Sequence, residues 1–344
     1  MSSLLESEAP FEAGLAGFFH RQLMVHRKPV PADTDLTGQV AIITGSNGGL
    51  GFEAGRQLLQ LGLSHLILAV RSQAKGDQAA DRLRNEFPAA NISVWLLDME
   101  SYDSISAFAE RCQTLPHIDV VLLNAGLQAA TFRIVEATGH EQSFQVNYLS
   151  TVLLTILLLP VLQAKRPPQA KPAVLSIVTS DTAHWAKLET QGPILAQFDR
   201  AEGHSAMQAY SQEKLLQHFF VAKLTEQISP EDGVIVNMVN PGLCTGTSFG
   251  QDDGWSLIGV FFGILKSVIA RTVEVGASTY VDAVVVKGRE SHGSFVSDWA
   301  IRPYPKVLYT AEGDKIKERL WEETMEELNF AGASKTVQDL KQKR

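Results

Sequence analysis

A tyrosine and a lysine four residues apart are the side chains in this sequence best suited to acid and base chemistry. Tyr210 and Lys214 share one face if their segment is helical, because residues four apart are neighbours on a helix surface. A free phenol, with a pKa of about 10, is a poor acid near neutrality. A fixed ammonium beside it favours the ionised form and lowers that pKa. We therefore expect Tyr210 to exchange a proton with a carbonyl or an alcohol.

A glycine-rich segment lies far upstream of this pair. It follows the β-rich run 40–44 and precedes a helical pattern over 52–61. Such a strand, turn and helix bring backbone N–H groups to a pyrophosphate, because glycine allows both the tight turn and the close approach. The residues predicted to hold a dinucleotide there are Thr44, Gly45, Ser46, Asn47, Gly49, Leu50 and Gly51. Together with the Tyr–Lys pair, this loop indicates a hydride-transfer enzyme.

Arg71 ends the second β-rich run, where a dinucleotide-binding fold meets the adenosine ribose. A carboxylate at this position would accept a hydrogen bond from the 2′-hydroxyl and repel a 2′-phosphate. An arginine instead pairs with that phosphate and stacks on adenine. We therefore predict NADP(H) rather than NAD(H), with a solvated arginine at the end of a strand as the alternative.

Six β-rich runs alternate with helical patterns and would position these groups. The runs are 40–44, 65–70, 92–97, 119–123, 174–178 and 234–239. This alternation predicts an α/β fold with a doubly wound parallel sheet, whose ligands lie at the carboxyl ends of the strands. Every candidate motif lies at one of those ends or on a neighbouring helix.

The motifs and their order identify the chain as a member of the short-chain dehydrogenase/reductase family, over roughly residues 39–250. The resemblance is carried by Thr44-Gly45-x-x-x-Gly49-x-Gly51, Asn124-Ala125-Gly126, Asn147, Ser180, Tyr210, Lys214 and Pro241-Gly242. The runs 67–71, 145–149 and 240–242 are similar to the retinol-dehydrogenase-like branch and to reductases of fungal natural-product pathways. The resemblance implies a Rossmann-like single domain.

The resemblance also implies roles on the catalytic side. Ser180 would hydrogen-bond the substrate oxygen, and Tyr210 would protonate the alkoxide that develops as hydride arrives. Lys214 would lower the pKa of Tyr210 and bind the ribose hydroxyls, while Asn147 would hold a water that links Lys214 to solvent. The predicted catalytic set is therefore Asn147, Ser180, Tyr210 and Lys214.

Three further loops complete the predicted cofactor site. Asp98 resembles the acceptor for the adenine amino group, and Met99 would add a backbone contact. The loop after the fourth run is small enough for the nicotinamide ribose, and the loop after the sixth would orient the carboxamide. These residues are Asn124, Ala125, Gly126, Pro241, Gly242 and Thr245. Tyr210 and Lys214 also contact the cofactor in this prediction.

We expect one domain over 37–330, preceded by an N-terminal extension, 1–36, and followed by a polar tail, 331–344. The separation of Ser180 and Tyr210 exceeds that of compact family members and indicates a substrate-side loop. A C-terminal substrate lid is predicted at about 245–275, where apolar side chains would favour a bulky hydrophobic ketone, aldehyde or alcohol. These side chains are Phe249, Trp255, Leu257, Phe261, Phe262 and Leu265.

No metal is expected. His184 and His204 lie in the substrate-side loop without a carboxylate or cysteine at ligand spacing, and they are expected at the surface. A net charge of −8 gives no reason to expect a nucleic-acid partner. Cys112 and Cys244 are too few and too far apart for a disulfide framework, which predicts a reducing, cytoplasmic compartment.

The longest apolar run, 151–162, is shorter than the roughly 20 residues that cross a bilayer as a helix. No transmembrane segment is therefore expected, while contact of the N-terminal segment with a membrane surface stays open. The helix over 151–162 and the helix bearing Tyr210 resemble the family's dimer-forming pair. A homodimer is accordingly predicted.

The leading function is an NADPH-dependent carbonyl reductase, or the corresponding alcohol dehydrogenase. A non-catalytic dinucleotide sensor or scaffold is one alternative, and the complete catalytic set argues against it because sheet packing does not require those four residues. A redox-neutral dehydratase or isomerase on the same fold is another. Consumption of the cofactor separates it from a reductase.

Overall fold

The computed structural model describes residues 1–165, 171–245 and 269–342. Most of the predicted lid therefore lies outside the described residues. This applies to all of its apolar side chains named above, Phe249, Trp255, Leu257, Phe261, Phe262 and Leu265.

An eight-stranded sheet forms the centre of the molecule, in the order β3-β2-β1-β4-β5-β6-β7-β8. Its strands are β1 Val40–Thr44, β2 His65–Val70, β3 Asn91–Leu96, β4 Val120–Leu123, β5 Ala173–Val178, β6 Val234–Asn240, β7 Phe295–Ser297 and β8 Ala300–Arg302. All pair in parallel except β8, which runs antiparallel to β7. The predicted doubly wound α/β fold is confirmed, with its switch point between β1 and β4. The two last strands were not predicted, because three residues are too few to show a strand pattern.

Helices cover both faces of the sheet. They are α1 Leu15–Met24, α2 Gly49–Gln60, α3 Gln73–Glu86, α4 Tyr102–Cys112, α5 Ser150–Ala164, α6 Ala206–Gln227, α7 Val273–Val281, α8 Ala311–Glu327 and α9 Ala333–Gln342. One apolar core lies between the sheet and α2, α3 and α7, and a second lies between the sheet and α4, α5, α6, α8 and α9. Successive strand residues alternate between them, as Ile42 and Ile43 do, because strand side chains point to opposite faces in turn.

The apolar helix α5 lies inside the protein. Together with the turns before it, it forms a helical run, Gln142–Ala164, that is long and apolar enough to cross a membrane by length and composition alone. However, 89% of its most apolar window is buried within the chain. It is therefore a core helix.

The C-terminal residues are not the polar tail predicted for 331–344. Helix α9 buries Ala333, Val337 and Leu340 against α5, because the spacing of these residues places them on one helix face. Helix α8 in turn packs on α6. The outer faces that the resemblance assigns to a second copy are thus covered by this chain, and the homodimer stays a prediction.

The N-terminal extension is also more than an appendage. Ser2 is fully buried; its Oγ donates to the Arg302 carbonyl at 2.5 Å and accepts from the Phe295 amide at 2.9 Å. The start of the chain is thereby bonded to β7 and β8. Polar contacts between distant segments were invisible to local sequence patterns, which explains why 1–36 looked separate.

Candidate active site

Three predicted catalytic side chains meet beyond the carboxyl end of β5. Ser180 lies just after this strand, and its hydroxyl is hydrogen-bonded to the hydroxyl of Tyr210, which lies in the second turn of α6. Lys214 follows one turn later, with its ammonium 5.4 Å from the centre of the Tyr210 ring. The ammonium donates to the Val178 carbonyl at 2.8 Å. The structure thus brings these three residues together as the sequence indicated.

The protonation of these groups differs from the expectation. Burial raises the pKa of Tyr210 above its ordinary value; the hydrogen bond with Ser180 lowers it, and the carboxyl groups of Glu213 and Asp181 raise it. Burial also lowers the pKa of Lys214 to about 8, against the attraction of Glu213. The lowered Tyr210 pKa expected from Lys214 is therefore wrong for this arrangement, because the lysine is itself desolvated and is directed at a backbone carbonyl.

Asn147 lies in a π-helical turn, Gln145–Leu149, that leads into α5. Its Oδ1 accepts from the Leu127 amide at 2.9 Å, and its Nδ2 donates to the Leu127 carbonyl at 2.7 Å and to Glu213 Oε2 at 2.6 Å. Its carbonyl accepts from Gln217 Nε2 at 2.7 Å. Asn147 therefore joins the loop after β4 to the helix that carries Lys214, and its role in holding a water stays a prediction.

Glu213 is a buried carboxyl group that no motif in the sequence marked. Its Oε2 also accepts from Ser143 Oγ at 2.9 Å, whereas its Oε1 has no hydrogen-bond partner within the described part of the chain. Burial raises the pKa of Glu213 to about 7, opposed by the hydrogen bonds from Asn147 and Ser143. One signal in the sequence could have indicated a buried carboxyl group. Glu213 directly precedes Lys214, and the apolar residues that follow place this face of the helix inside the protein.

The glycine loop packs tightly against the loop after β4. Gly45 has φ +66°, and a Cβ on it would lie 3.0 Å from the Ala125 Cα. A Cβ on Gly51 would lie 2.5 Å from Asn124 Nδ2. This amide donates to the Thr44 carbonyl at 2.9 Å, and the Ala125 amide donates to Thr44 Oγ1 at 2.9 Å. Glycine is therefore required where the two loops meet.

The first turn of α2 is suited to a phosphate. The residue at its N-cap, Gly48, offers no capping side chain, whereas Ser72 and Ser101 cap α3 and α4. The first N–H groups of a helix lack intrahelical partners and attract anions. The residues present therefore fit the pyrophosphate of a dinucleotide.

The remaining predicted residues of this loop occupy different environments. Ser46 is buried, and its hydroxyl donates to the Ile43 carbonyl at 2.7 Å. Asn47 is exposed, Leu50 is half-buried, and Gly49 opens α2 with φ +56°. Ser46 thus stabilises the turn itself, while Asn47 is free to meet a ligand.

Arg71, Asp98 and Met99 lie together beyond the ends of β2 and β3. The Arg71 side chain is 66% exposed, and one of its nitrogens contacts Glu100 Oε1 at 2.9 Å. Asp98 accepts from the Glu100 amide at 3.0 Å, and Met99 is buried. Glu100 also pairs with Arg133, so that two guanidinium groups border the position predicted for the adenosine ribose.

The loop after β6 carries the other predicted nicotinamide contacts. Pro241 and Gly242 are half-buried, and Gly242 has φ +76°. The hydroxyl of Thr245 donates to the Arg271 carbonyl at 3.3 Å. Across the site, Gly126 is exposed in the loop after β4. These loops end at the same edge of the sheet as Ser180, as expected for parallel strands.

The two histidines of the substrate-side loop are not both at the surface. His184 is half-buried beside the Phe295 ring, with 6.1 Å between ring centres, and burial lowers its pKa to about 3. His204 is half-exposed and contacts the Phe132 ring edge. In the three ranges that the structure describes, no group of three or more His, Cys, Asp or Glu side chains could hold a metal ion.

A buried ionic cluster joins the N-terminal extension to the catalytic side, and no sequence motif indicated it. It consists of Glu12, Arg21, Asp181, Arg271, Asp298 and Arg302. Arg21 is 3% exposed; its guanidinium contacts Glu12 and lies 3.4 Å from Asp181 and 3.6 Å from Asp298. Three acidic and three basic side chains balance, which is the condition for burying charge at tolerable cost.

The turn between β7 and β8 presents one member of this ionic cluster. Asp298 and Trp299 have φ of 56° and 55°, the conformation of a two-residue hairpin turn. The buried Trp299 indole donates to Ser278 Oγ at 3.2 Å, and the Arg271 guanidinium lies over its ring. The turn therefore directs the Asp298 carboxylate inward, towards Arg21 and Arg271.

These observations define a class of protein, a doubly wound α/β protein with a glycine-rich loop after its first strand and a Ser–Tyr–Lys site at the carboxyl edge of its sheet. Residues 39–181 match the family model described as short chain dehydrogenase. The chain is 56% identical over 343 residues to the short chain dehydrogenase virL of Hypocrea virens, covering 99% of both chains. It is 48% identical over 328 residues to the short chain dehydrogenase/reductase mfmJ of Annulohypoxylon moriforme, covering 94% of both.

A solved structure shows the same fold. The NADPH-bound short chain oxidoreductase of Pseudomonas aeruginosa PAO1 superposes with a TM-score of 0.57 at 21% identity, covering 76% of this chain and 96% of that chain. The chain belongs to the short-chain dehydrogenase/reductase family of oxidoreductases.

Proposed function

We propose that this protein is an NADPH-dependent reductase of a hydrophobic ketone or aldehyde, or the dehydrogenase of the corresponding alcohol. The observation that carries the proposal is the hydrogen bond between the hydroxyls of Ser180 and Tyr210, with Lys214 one turn away. It lies where the loops after β1, β4 and β6 end at the same edge of the sheet. Packing of the sheet does not require this combination of polar groups.

NADPH would supply the hydride in this proposal, and the protein would control the proton. Ser180 donates a hydrogen bond to the substrate oxygen, and the Tyr210 hydroxyl delivers its proton to that oxygen as negative charge develops there. Lys214 supplies positive charge behind Tyr210. Because burial raises the pKa of Tyr210, the phenol holds its proton at neutral pH.

Two observations support a dinucleotide cofactor, and the first of them favours NADP(H) over NAD(H). Arg71 is largely exposed and uses one nitrogen for Glu100, so that other guanidinium donors remain to meet a 2′-phosphate. The uncapped start of α2 suits the pyrophosphate. The P. aeruginosa relative of the same fold binds NADPH, in line with this choice.

The substrate class and the location complete the proposal. A hydrophobic substrate follows from the apolar side chains of the predicted lid, and the resemblance to fungal natural-product reductases favours a natural product. A cytoplasmic location is supported by Cys112 and Cys244, which are both buried and form no disulfide within the described part of the chain.

The decisive experiment follows the oxidation of NADPH and NADH by the purified protein with a panel of hydrophobic ketones and aldehydes. We expect consumption of NADPH and a loss of at least about a hundredfold in kcat for Tyr210→Phe, because the general acid is removed. Tyr102→Phe is the matched control, since its hydroxyl has no hydrogen-bond partner within the described ranges.

Full activity of Tyr210→Phe would reject the acid role. Tight NADPH binding with no NADPH oxidation for any carbonyl would favour the dinucleotide sensor. Conversion of a substrate without oxidation of NADPH would favour a redox-neutral enzyme.

The cofactor preference is tested separately with Arg71→Asp. The introduced carboxylate repels a 2′-phosphate and accepts from a 2′-hydroxyl, so that the NADPH/NADH ratio of kcat/KM should fall by about a hundredfold. Arg200→Asp makes the same charge change at another exposed position, where Arg200 pairs with Glu189, and should leave the ratio unchanged. Equal ratios for Arg71→Asp and the wild type would remove the basis for NADP(H).

A further inference from the structure

The amide of Gln22, near the end of α1, is bonded to the loop that follows β6. Gln22 is 8% exposed. Its Nε2 donates to the Leu243 carbonyl at 2.8 Å and to the Ile269 carbonyl at 3.0 Å, and its Oε1 accepts from the Leu243 amide at 3.2 Å. One side chain therefore satisfies both backbone groups of Leu243 and joins them to Ile269.

Gly242 shows how closely α1 approaches this loop. A Cβ at this position would lie 3.0 Å from Gln22 Oε1 and 2.8 Å from Arg271 Nη1. Arg271 donates to the Pro241 carbonyl at 3.2 Å and to the Arg21 carbonyl at 2.8 Å. Gln22 and Arg271 thus both lie against Gly242 and leave no space for a larger residue than glycine.

The same helix also contacts the turn after β5. Asp181 directly follows Ser180 and lies within the ionic cluster beside Arg21. The Trp185 indole, at the end of this turn, donates to the Ala13 carbonyl at 2.7 Å. The segment that ends in α1 therefore contacts both the turn that begins at Ser180 and the loop that holds Pro241 and Thr245.

We propose that α1 is part of the nucleotide site, with Gln22 as a positioning residue. It holds the loop 241–245 in the conformation that receives the nicotinamide half of NADP(H), and the ionic cluster around Arg21 anchors the helix that carries it. This role rests on the proposed function, because the loop is assigned to the nicotinamide through the family resemblance. Gln22 itself touches the loop rather than the reacting atoms.

The test compares two ligands that share the adenosine 2′-phosphate. Binding of NADPH and of adenosine 2′,5′-bisphosphate, which lacks the nicotinamide half, is measured by calorimetry on the full chain and on Gln22→Ala. We expect the Kd of NADPH to rise about tenfold, the size that loss of one or two buried hydrogen bonds produces. The Kd of the bisphosphate should stay the same, because the contacts predicted for its two phosphates lie at the glycine loop, the start of α2 and the ends of β2 and β3, away from the loop 241–245.

Two further variants keep the result interpretable. Leu23→Ala truncates the adjacent, exposed side chain of the same helix and should change neither affinity. Gln22→Glu keeps the shape of the side chain and its acceptor for the Leu243 amide, but loses both donors, and should give the same selective loss even if Gln22→Ala is unstable.

The outcomes separate the two proposals. An equal loss for both ligands would show a general structural role for Gln22 and overturn the inference, as would unchanged NADPH affinity in both Gln22 variants. A wild-type chain that binds neither ligand would reject the proposed function itself and this inference with it.

Discussion

The nucleotide-facing edge of the sheet and the catalytic side are stabilised in different ways. At the nucleotide edge, the loops after β1 and β4 interlock through glycines and backbone hydrogen bonds, as between Gly51, Asn124 and Thr44. On the catalytic side, the turn after β5 and the loop after β6 are held by side chains of α1 and by the ionic cluster. Contacts of the first kind show in short motifs, whereas contacts of the second kind depend on residues that are far apart in the chain.

The largest effect is expected for a substitution that destabilises the catalytic side alone. Arg21→Met should lower the free energy of unfolding by about 3–5 kcal/mol, because it removes the cation that the buried carboxylates of Glu12, Asp181 and Asp298 share. Glu12 and Asp298 keep Arg302 and Arg271 as partners, whereas Asp181 has no second ion pair among the described residues. Arg27→Met is the matched control, since Arg27 is 41% exposed and pairs with an exposed Glu274, and it should cost less than about 1 kcal/mol. Denaturant unfolding measures both.

If the two variants unfold at the same denaturant concentration, the ionic cluster does not hold α1 in place. A loss confined to the catalytic side would also show in hydrogen exchange. The amides around Ser180 and Leu243 should exchange faster in Arg21→Met, while those of β1 to β3 keep their protection.

The second prediction concerns Glu213, which lies between the two regions. Because burial raises its pKa to about 7 in the folded protein, the carboxyl stays protonated there while an unfolded chain ionises near its ordinary value. Stability should fall as pH rises from about 4.5 to 7, and Glu213→Gln, which mimics the neutral form, should remove this loss. We expect the variant to match the wild type near pH 4.5 and to be more stable by about 2–3 kcal/mol at pH 8.

Thermal unfolding across this pH range is the measurement. The exposed Glu202 provides the control, and Glu202→Gln should leave the pH dependence unchanged. A Glu213→Gln stability difference that is constant with pH would show that the carboxyl does not titrate as described.

The smallest effect is expected for a substitution at the nucleotide edge, where it tests the packing of the glycine loop. Gly51→Ala should cost about 1–3 kcal/mol, because the added methyl meets Asn124 and the Gly45 carbonyl in a closely packed site. Gly48→Ala lies in the same loop, where the backbone is extended and no described residue lies within 4 Å of an added Cβ, and it should be tolerated. The Kd of NADPH and the free energy of unfolding should both differ between Gly51→Ala and Gly48→Ala. Equal values for the two variants would mean that the loops after β1 and β4 do not interlock as described.

The sequence predicted the sheet and the nucleotide edge because their signals are local. The run 40–51 contains a strand, its turn and the start of α2, and the glycines report constraints that lie within that unit. The association of Ser180, Tyr210 and Lys214 was also predictable, since the first follows a strand and the others share a helix face.

The rest depended on tertiary contacts. The tail was taken as polar because Ala333, Val337 and Leu340 are sparse, and only packing against α5 shows that they form an apolar face. The protonation of Tyr210 depends on desolvation, which no spacing of residues reveals. The N-terminal extension looked separate for the same reason, since the side-chain contacts of Ser2, Arg21 and Gln22 with other elements are to residues beyond 180.

The separation of Glu12 and Arg302, 290 residues along the chain, has a consequence for the order of events during synthesis. At the usual 5–20 residues per second, roughly 15–60 s pass between the emergence of these two residues from the ribosome. The strands β1 to β6 are complete before Asp298 and Arg302 are made, so that the ionic cluster around Arg21 cannot be complete while these strands assemble. Closing so long a loop is slow and entropically costly, which makes docking of α1 a late step in the maturation of this protein.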